Sequence, residues 1–386
     1  MTAVHGTVAP GFEAVREELA AALEEEHAAT GAASPVQLTA YAGDRQVVDL
    51  WSGDGMAGDS LLPVYSVTKG AAHLVTALLV QEGVLDLDER VAHYWPEFAA
   101  EGKGALSLRD LLAHRAGSIG VDGGFTPEEY ADDRRLAERL AAHRPYWRPG
   151  SAHGYHATTI GALTGEVVRR TTGRSLQQVY EERIRAPYGL DLWLGLPESQ
   201  EPRVRETLPM APTERQRRLL AKHAPGPRSL MGIAFGAGHP ERPLDLDTVM
   251  NDRAMRAKGP ASLGGVGSAR GVAGLYAAAV SGTGGRPALL KPETLAEFGQ
   301  IHSPGYDVVV RSTHSFALGF ESTADVYPFL GAGSIGHQGA AGALGLADPG
   351  SGLAYGYVRQ RYGYPGGAAP ENDRLLRAVH AALTRG

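Results

Sequence analysis

The 386-residue chain contains no cysteine. That excludes disulfides, thiolate metal sites and a cysteine nucleophile. Long apolar runs are missing as well. No stretch is long or apolar enough to cross a bilayer, and residues 1–10 have neither the basic start nor the apolar centre of a secretion signal. The expectation is a cytoplasmic protein with no membrane partner. There is no surplus of positive charge: 37 Lys and Arg stand against 43 Asp and Glu, a net charge of −6, so nucleic acid is not an expected partner. No Gly-x-Ser-x-Gly elbow occurs, which argues against an α/β-hydrolase. No His-Glu-x-x-His occurs, and His153 and His156 lack a third ligand at a sensible spacing. Neither a metal nor a cofactor is expected.

The remaining composition, 43% hydrophobic and 21% charged, is that of an ordinary globular protein, and the length suits one large or two interleaved domains. Residues 11–30 carry Phe12, Val15, Leu19 and Leu23 at helical spacing. Residues 36–41 and 45–51 alternate around Gly43-Asp44 and predict a hairpin. The middle of the chain reads as helix and loop: 108–114 capped by Ser107, 126–144, 155–172 and 176–184. Residues 197–247 are irregular and rich in proline and arginine, and a connection of that length is more often functional than merely linking. Gly264-Gly265-Val266-Gly267 reads as a turn, with Ser268 capping a helix to residue 281. Residues 316–321, 342–347 and 353–358 alternate as strands, and 370–384 is an amphipathic helix. Strands at both ends with helices between them predict an α+β fold. A central antiparallel sheet from 1–82 and 255–386 is flanked by helices, and a mainly helical subdomain, 83–254, is inserted, its 197–247 segment near the active site.

One stretch carries chemistry. Pro63-Val64-Tyr65-Ser66-Val67-Thr68-Lys69-Gly70 runs from an extended segment into an apolar helix. Ser66 falls at or just inside the helix start, beside free backbone N–H groups, and Lys69 follows one turn later on the same face. A nucleophile, a base and half of an oxyanion hole are thus adjacent, although serine is also a common helix cap. Two further patches suit the same cleft. Tyr155 is delivered by a glycine turn in a stretch from Trp147 to Ala157, and Gly336-His337-Gln338-Gly339-Ala340 opens a strand whose glycines allow close approach of backbone.

The order Ser66-x-x-Lys69, then Tyr155, then His337-x-Gly339 resembles the serine β-lactamase and penicillin-binding-protein superfamily. Leu111-Leu112-Ala113-His114-Arg115-Ala116-Gly117, Pro187-Tyr188-Gly189-Leu190 and Gly336-His337-Gln338-Gly339 resemble its class-C-like esterase branch, the family VIII carboxylesterases and related acyltransferases. The resemblance implies a β-lactamase/transpeptidase-like fold and acylation of Ser66. Lys69 and Tyr155 form the pair that takes the serine proton, and which of the two is the base stays open. It places the oxyanion hole at the amides of Ser66 and Ala340, with His337 where β-lactamases carry a lysine. His337, Gly339 and Trp147 are the expected substrate-side residues. Two departures stand out: Ala157 replaces an asparagine that holds a β-lactam's amide, and His337 replaces a cation. The expected reaction is hydrolysis of a small-molecule carboxylic ester. Transfer of the acyl group to an alcohol or amine is the alternative, ahead of β-lactam hydrolysis, D-amino-acid peptidase activity or acyl binding without catalysis.

Overall fold

The computed structural model describes residues 3–385. Seven strands form one antiparallel sheet in the order β1-β3-β2-β12-β11-β10-β9. The N-terminal part supplies β1 (Val4–Val8), β2 (Val36–Ala42) and β3 (Arg45–Ser52). Before the chain returns to this sheet it forms a second one, in which β6 (Gly265–Gly267) lies between β4 (Leu62–Tyr65) and β5 (Leu192–Leu194). A short hairpin, β7 (Tyr306–Asp307) and β8 (Ser312–Thr313), follows. The C-terminal part then adds β9 (Glu321–Ser322), β10 (Ile335–Gln338), β11 (Leu344–Asp348) and β12 (Leu353–Arg359) to the main sheet.

Alternation along β12 explains how the sheet is sandwiched. Leu353, Tyr355 and Tyr357 face a core shared with α1 (Glu13–Thr30) and the closing helix Glu371–Thr384, through Val15, Leu19, Leu375 and Val379. Ala354 and Val358 face the opposite core, where the helix Ala269–Val280 packs. Gly356 and Gly345 admit that helix. A Cβ on Gly356 would come within 2.5 Å of the Ala273 amide nitrogen, and one on Gly345 within 2.7 Å of the Tyr276 and Val272 side chains. Arg359, buried at the end of β12, binds Glu26 of α1 and Glu371 of the closing helix at 2.6 Å each, tying both terminal helices to the sheet.

Several sequence-based expectations are corrected. The 126–144 region is two helices, Pro127–Tyr130 and Asp133–Ala142, because Asp132 is extended and its side chain caps the second at the Arg135 amide. The helix expected over 155–172 spans Ile160–Thr172. That from Leu176 ends at Tyr180 and continues as a wider turn, Glu181–Arg185. Residues 197–247 hold helical segments at Glu198–Arg203, Glu214–His223 and Leu230–Ala234. The strand expected over 316–321 is confined to Glu321, which opens β9: Phe316 pairs with Ser303, and the chain turns at Gly319, φ 78°, where a Cβ would come within 2.3 Å of the His73 ring. The Gly264-Gly265-Val266-Gly267 stretch enters strand β6 instead of turning, while Ser268 does cap the following helix. Gly265 is needed there, since a Cβ would lie 2.6 Å from Thr68 Oγ1. Among the described residues no helix is long and apolar enough to cross a membrane.

Candidate active site

Strand β4 delivers Ser66 to the start of α2 (Thr68–Gln81). Ser66 stands two residues before the helix, outside it. From Leu61 to Leu79 every residue is buried except Ser66. This is the pattern of a helix packed on all sides with one hydroxyl left accessible. The preceding residue, Tyr65, adopts φ 49°, a left-handed conformation costly for an aromatic residue and of a kind concentrated at functional sites. The side chain of Thr68 donates to the Tyr65 carbonyl and accepts from the Gly265 amide at 2.8 Å, fastening the bend to β6.

Lys69 is completely buried. Its Nζ lies 3.0 Å from Ser66 Oγ and 2.7 Å from each of the Ala157 and Ser262 carbonyl oxygens. An ammonium has three N–H groups and a neutral amine has two. The two carbonyls can only accept, so a neutral Lys69 directs its lone pair at the Ser66 hydroxyl. Burial pulls the amine down to about 7, against the opposing field of Glu321.

Tyr155, expected as the first residue of a helix, sits five residues ahead of the helix Ile160–Thr172, in irregular chain. The amides flanking it bond elsewhere: Gly154 N–H donates to the His114 carbonyl and His156 N–H to His114 Nδ1, each at 3.1 Å. The ring lies 5.0 Å from Lys69 Nζ and is surrounded by His114, Phe235, His314, Phe316 and His337, with centroids 5.6–5.9 Å away. Burial, reinforced by Glu321, raises the Tyr155 phenol well above its ordinary range, with a hydrogen bond to Ser66 opposing the rise. Of the two candidate bases, Lys69 is thus the one brought toward neutrality.

His337 is fully buried in β10, and burial lowers it to about 4, despite the Glu321 carboxylate 3.6 Å away. Its Nδ1 lies 2.8 Å from the Gln338 carbonyl oxygen, so that nitrogen carries the proton and Nε2 is bare. A neutral imidazole here is no substitute for a lysine ammonium. Gly339 brings β10 against β4, the strand that leads to Ser66: a Cβ would lie 2.4 Å from the Val64 carbonyl oxygen. Among the described residues the amides of Ser66 and Ala340 have no acceptor within the protein. Trp147 borders Gly154 and His156 and spends its Nε1–H on the Ala152 carbonyl at 3.1 Å. His153 and His156 both bond to backbone. His153 Nε2 meets the His314 carbonyl at 3.0 Å, and His156 receives the Ser118 amide on Nε2 and donates from Nδ1 to Gly154 O.

Sequence reasoning gave no role to Glu321. Burial would raise this carboxylate, yet it is held at about 2, with the hydrogen bond and charge of His314 and the Gln338 amide favouring the anion and the His337 Nδ1–H 3.6 Å away. It accepts from the Gln338 amide at 3.0 Å and lies 3.2 Å from His314 Nε2, while His314 also faces Asp307 at 3.8 Å. His314 is correspondingly raised, overcoming its burial. The His314–Glu321 pair therefore lies beside Tyr155, with the His314 ring edge-on to it. Nothing local marks Glu321 in the sequence, since only the β9–β10 pairing, Glu321 opposite Gly336, brings it in.

Known proteins resemble this chain along nearly its whole length. The chain is 40% identical to EstA from Arthrobacter nitroguajacolicus Rue61a over 98% of both chains, with a TM-score of 0.89. A family VIII carboxylesterase structure shares 32% identity over 98% of this chain and 100% of its own, with a TM-score of 0.86. The esterase/β-lactamase LipL of Mycobacterium tuberculosis is 30% identical over 84% of this chain and 76% of its own length. The β-lactamase family model matches residues 17–380. The chain belongs to the β-lactamase family, in the company of its esterases.

Proposed function

We propose that this protein hydrolyses small-molecule carboxylic esters through an acyl-enzyme on Ser66. The observation that carries the reading is the hydrogen-bond geometry of Lys69, whose two carbonyl partners leave one direction, toward Ser66 Oγ. Neutral Lys69 takes the Ser66 proton as Oγ attacks the ester carbonyl. The oxyanion forms against the unpaired amides of Ser66 and Ala340. Collapse expels the alkoxide, which receives the proton from Lys69 by way of the Tyr155 hydroxyl and leaves as the alcohol. Water then enters, gives a proton to the same pair and attacks the acyl carbon. Cleavage of the Ser66 ester bond releases the acid and restores the hydroxyl. The high proton affinity of Tyr155 suits a group that passes a proton while staying neutral. The esterase relatives support this substrate class.

The test is turnover of p-nitrophenyl acetate and butyrate by the native protein and by Ser66→Ala and Lys69→Met, together with fluorophosphonate labelling. Loss of both turnover and label in Ser66→Ala supports the reading. Turnover retained in Ser66→Ala refutes it.

Acyl transfer is the second reading, favoured by one observation. An apolar cluster including Ile119, Phe316, Ile233, Phe235 and Trp147 packs around Tyr155, and excluding water lets an alcohol or amine compete for the acyl group. A panel of primary amines and alcohols added to the ester assay, with products followed by mass, decides between them. Hydrolysis alone across the panel rejects transfer.

A further inference from the structure

His114 closes the Leu111-Leu112-Ala113-His114 run just after the helix Leu108–Leu112 and is completely buried. It stands at φ 59°, a conformation open to histidine and asparagine but unfavourable for most side chains. Two different atoms of this one residue hold the two neighbours of Tyr155. Its carbonyl oxygen accepts from the Gly154 amide and its Nδ1 from the His156 amide, 3.1 Å each. An Nδ1 that accepts is unprotonated, so the ring is neutral with its proton on Nε2. Burial favours that state, and nearby His156, His73, Lys69 and His337 reinforce it, holding His114 well below the ordinary histidine range. Phe316 packs on the imidazole at 4.1 Å between centroids and stacks on the Tyr155 ring at 5.9 Å, so the two rings share one wall.

We infer that His114 is the positioning residue for Tyr155: its carbonyl and Nδ1 clamp residues 154 and 156, fixing the phenol relative to Ser66 and Lys69. This rests on Tyr155 acting as proton carrier in the Ser66 chemistry. The clamp explains how Tyr155, on irregular backbone, is held from both sides by hydrogen bonds. A displacement of about 1 Å at such a site costs on the order of 100-fold in rate.

Two substitutions separate the clamp from bulk packing. His114→Asn tolerates the left-handed backbone and carries an acceptor at nearly the Nδ1 position. His114→Gln keeps the size and polarity but sets its acceptor one bond farther out. With p-nitrophenyl butyrate, His114→Asn is expected to retain kcat within about tenfold, while His114→Gln loses about 100-fold in kcat with KM nearly unchanged. Thermal unfolding confirms that each variant is folded. In a Tyr155→Phe background the His114→Gln loss should shrink to about threefold or less, measured as the rate of Ser66 phosphonylation, because its route of action is gone. Wild-type rates in both variants, equal losses in both, or a full loss that persists without the phenol would each overturn the clamp. If Tyr155→Phe is impaired and His114→Gln is not, the clamp alone fails. If Tyr155→Phe reacts like wild type, the role of Tyr155 fails and the clamp has nothing to position.

Discussion

Lys69 Nζ lies 3.0 Å from Ser66 Oγ, and both of its remaining partners are carbonyl oxygens. In the proposed mechanism the protonation of Lys69 is therefore the switch for acylation. The buried amine titrates near 7, and only its neutral form accepts a proton, so kcat/KM should rise with pH and reach half its limiting value near pH 7. Lys69→Met should lower kcat/KM by about 10²–10⁴-fold and abolish that limb. A pH–rate profile of kcat/KM, taken at subsaturating p-nitrophenyl ester, checks both. A flat profile between pH 5 and pH 9 would assign the base elsewhere.

Glu321 is the anion that acts against the burial of Lys69. A carboxylate favours the ammonium, so it keeps the lysine from falling further. Glu321→Gln removes that field, and the His314 imidazolium loses its partner 3.2 Å away. The acid limb of the profile should move to lower pH, with the alkaline plateau changed less. A limb that moves upward or stays in place would mean that Glu321 does not govern Lys69.

Gly339 has no room for a side chain, since a Cβ would lie 2.4 Å from the Val64 carbonyl oxygen and 3.1 Å from Ala343 Cβ. Gly339→Val should push the Ala340 amide away from Ser66. Losing one oxyanion donor costs about 10²–10³-fold in kcat, and KM should change little. Steady-state kinetics on the folded variant make the comparison. Wild-type kcat would place the oxyanion donors elsewhere.

β-Lactams should be poor substrates. Burial lowers His337 to about 4, so it is neutral near pH 7 and no cation faces a substrate carboxylate from that position, and Ala157 offers no side-chain amide while its carbonyl is held by Lys69. A charge-assisted hydrogen bond is worth about 1.5–3 kcal/mol, or on the order of 10–150-fold. Nitrocefin should therefore turn over at least tenfold less efficiently than p-nitrophenyl butyrate in kcat/KM. Equal efficiencies would show that another group binds the carboxylate.

Much of this site could be read from residue order, and the reasons for success and failure are physical. Ser66 and Lys69 are three apart, and the turn leading into α2, closed by the Lys69 amide on the Ser66 carbonyl, brings them together. The hairpin of β2 and β3, the helix 13–30 and strand β12 follow from unbroken alternation or periodicity backed by burial. Tyr155 was visible as a residue but not in its conformation, because a tertiary clamp at His114 outweighs local helix propensity. The glycines before Ser268 look like a turn in isolation, and only contact with Thr68 and Val64 reveals them as a strand interior. Glu321, His314 and the Ser262 carbonyl are invisible locally, for each reaches Ser66 chemistry through pairings across long sequence separations.

The central claim is that Ser66 carries the acyl group. Its most direct test is the mass of the intact protein and of its Ser66 peptide after rapid acid quench during turnover of p-nitrophenyl butyrate, with Ser66→Ala as control. A butyryl increment on the Ser66 peptide of the native protein, absent from Ser66→Ala along with turnover, is the expected result. Turnover that continues in Ser66→Ala, or an acyl increment on a different residue, would contradict it.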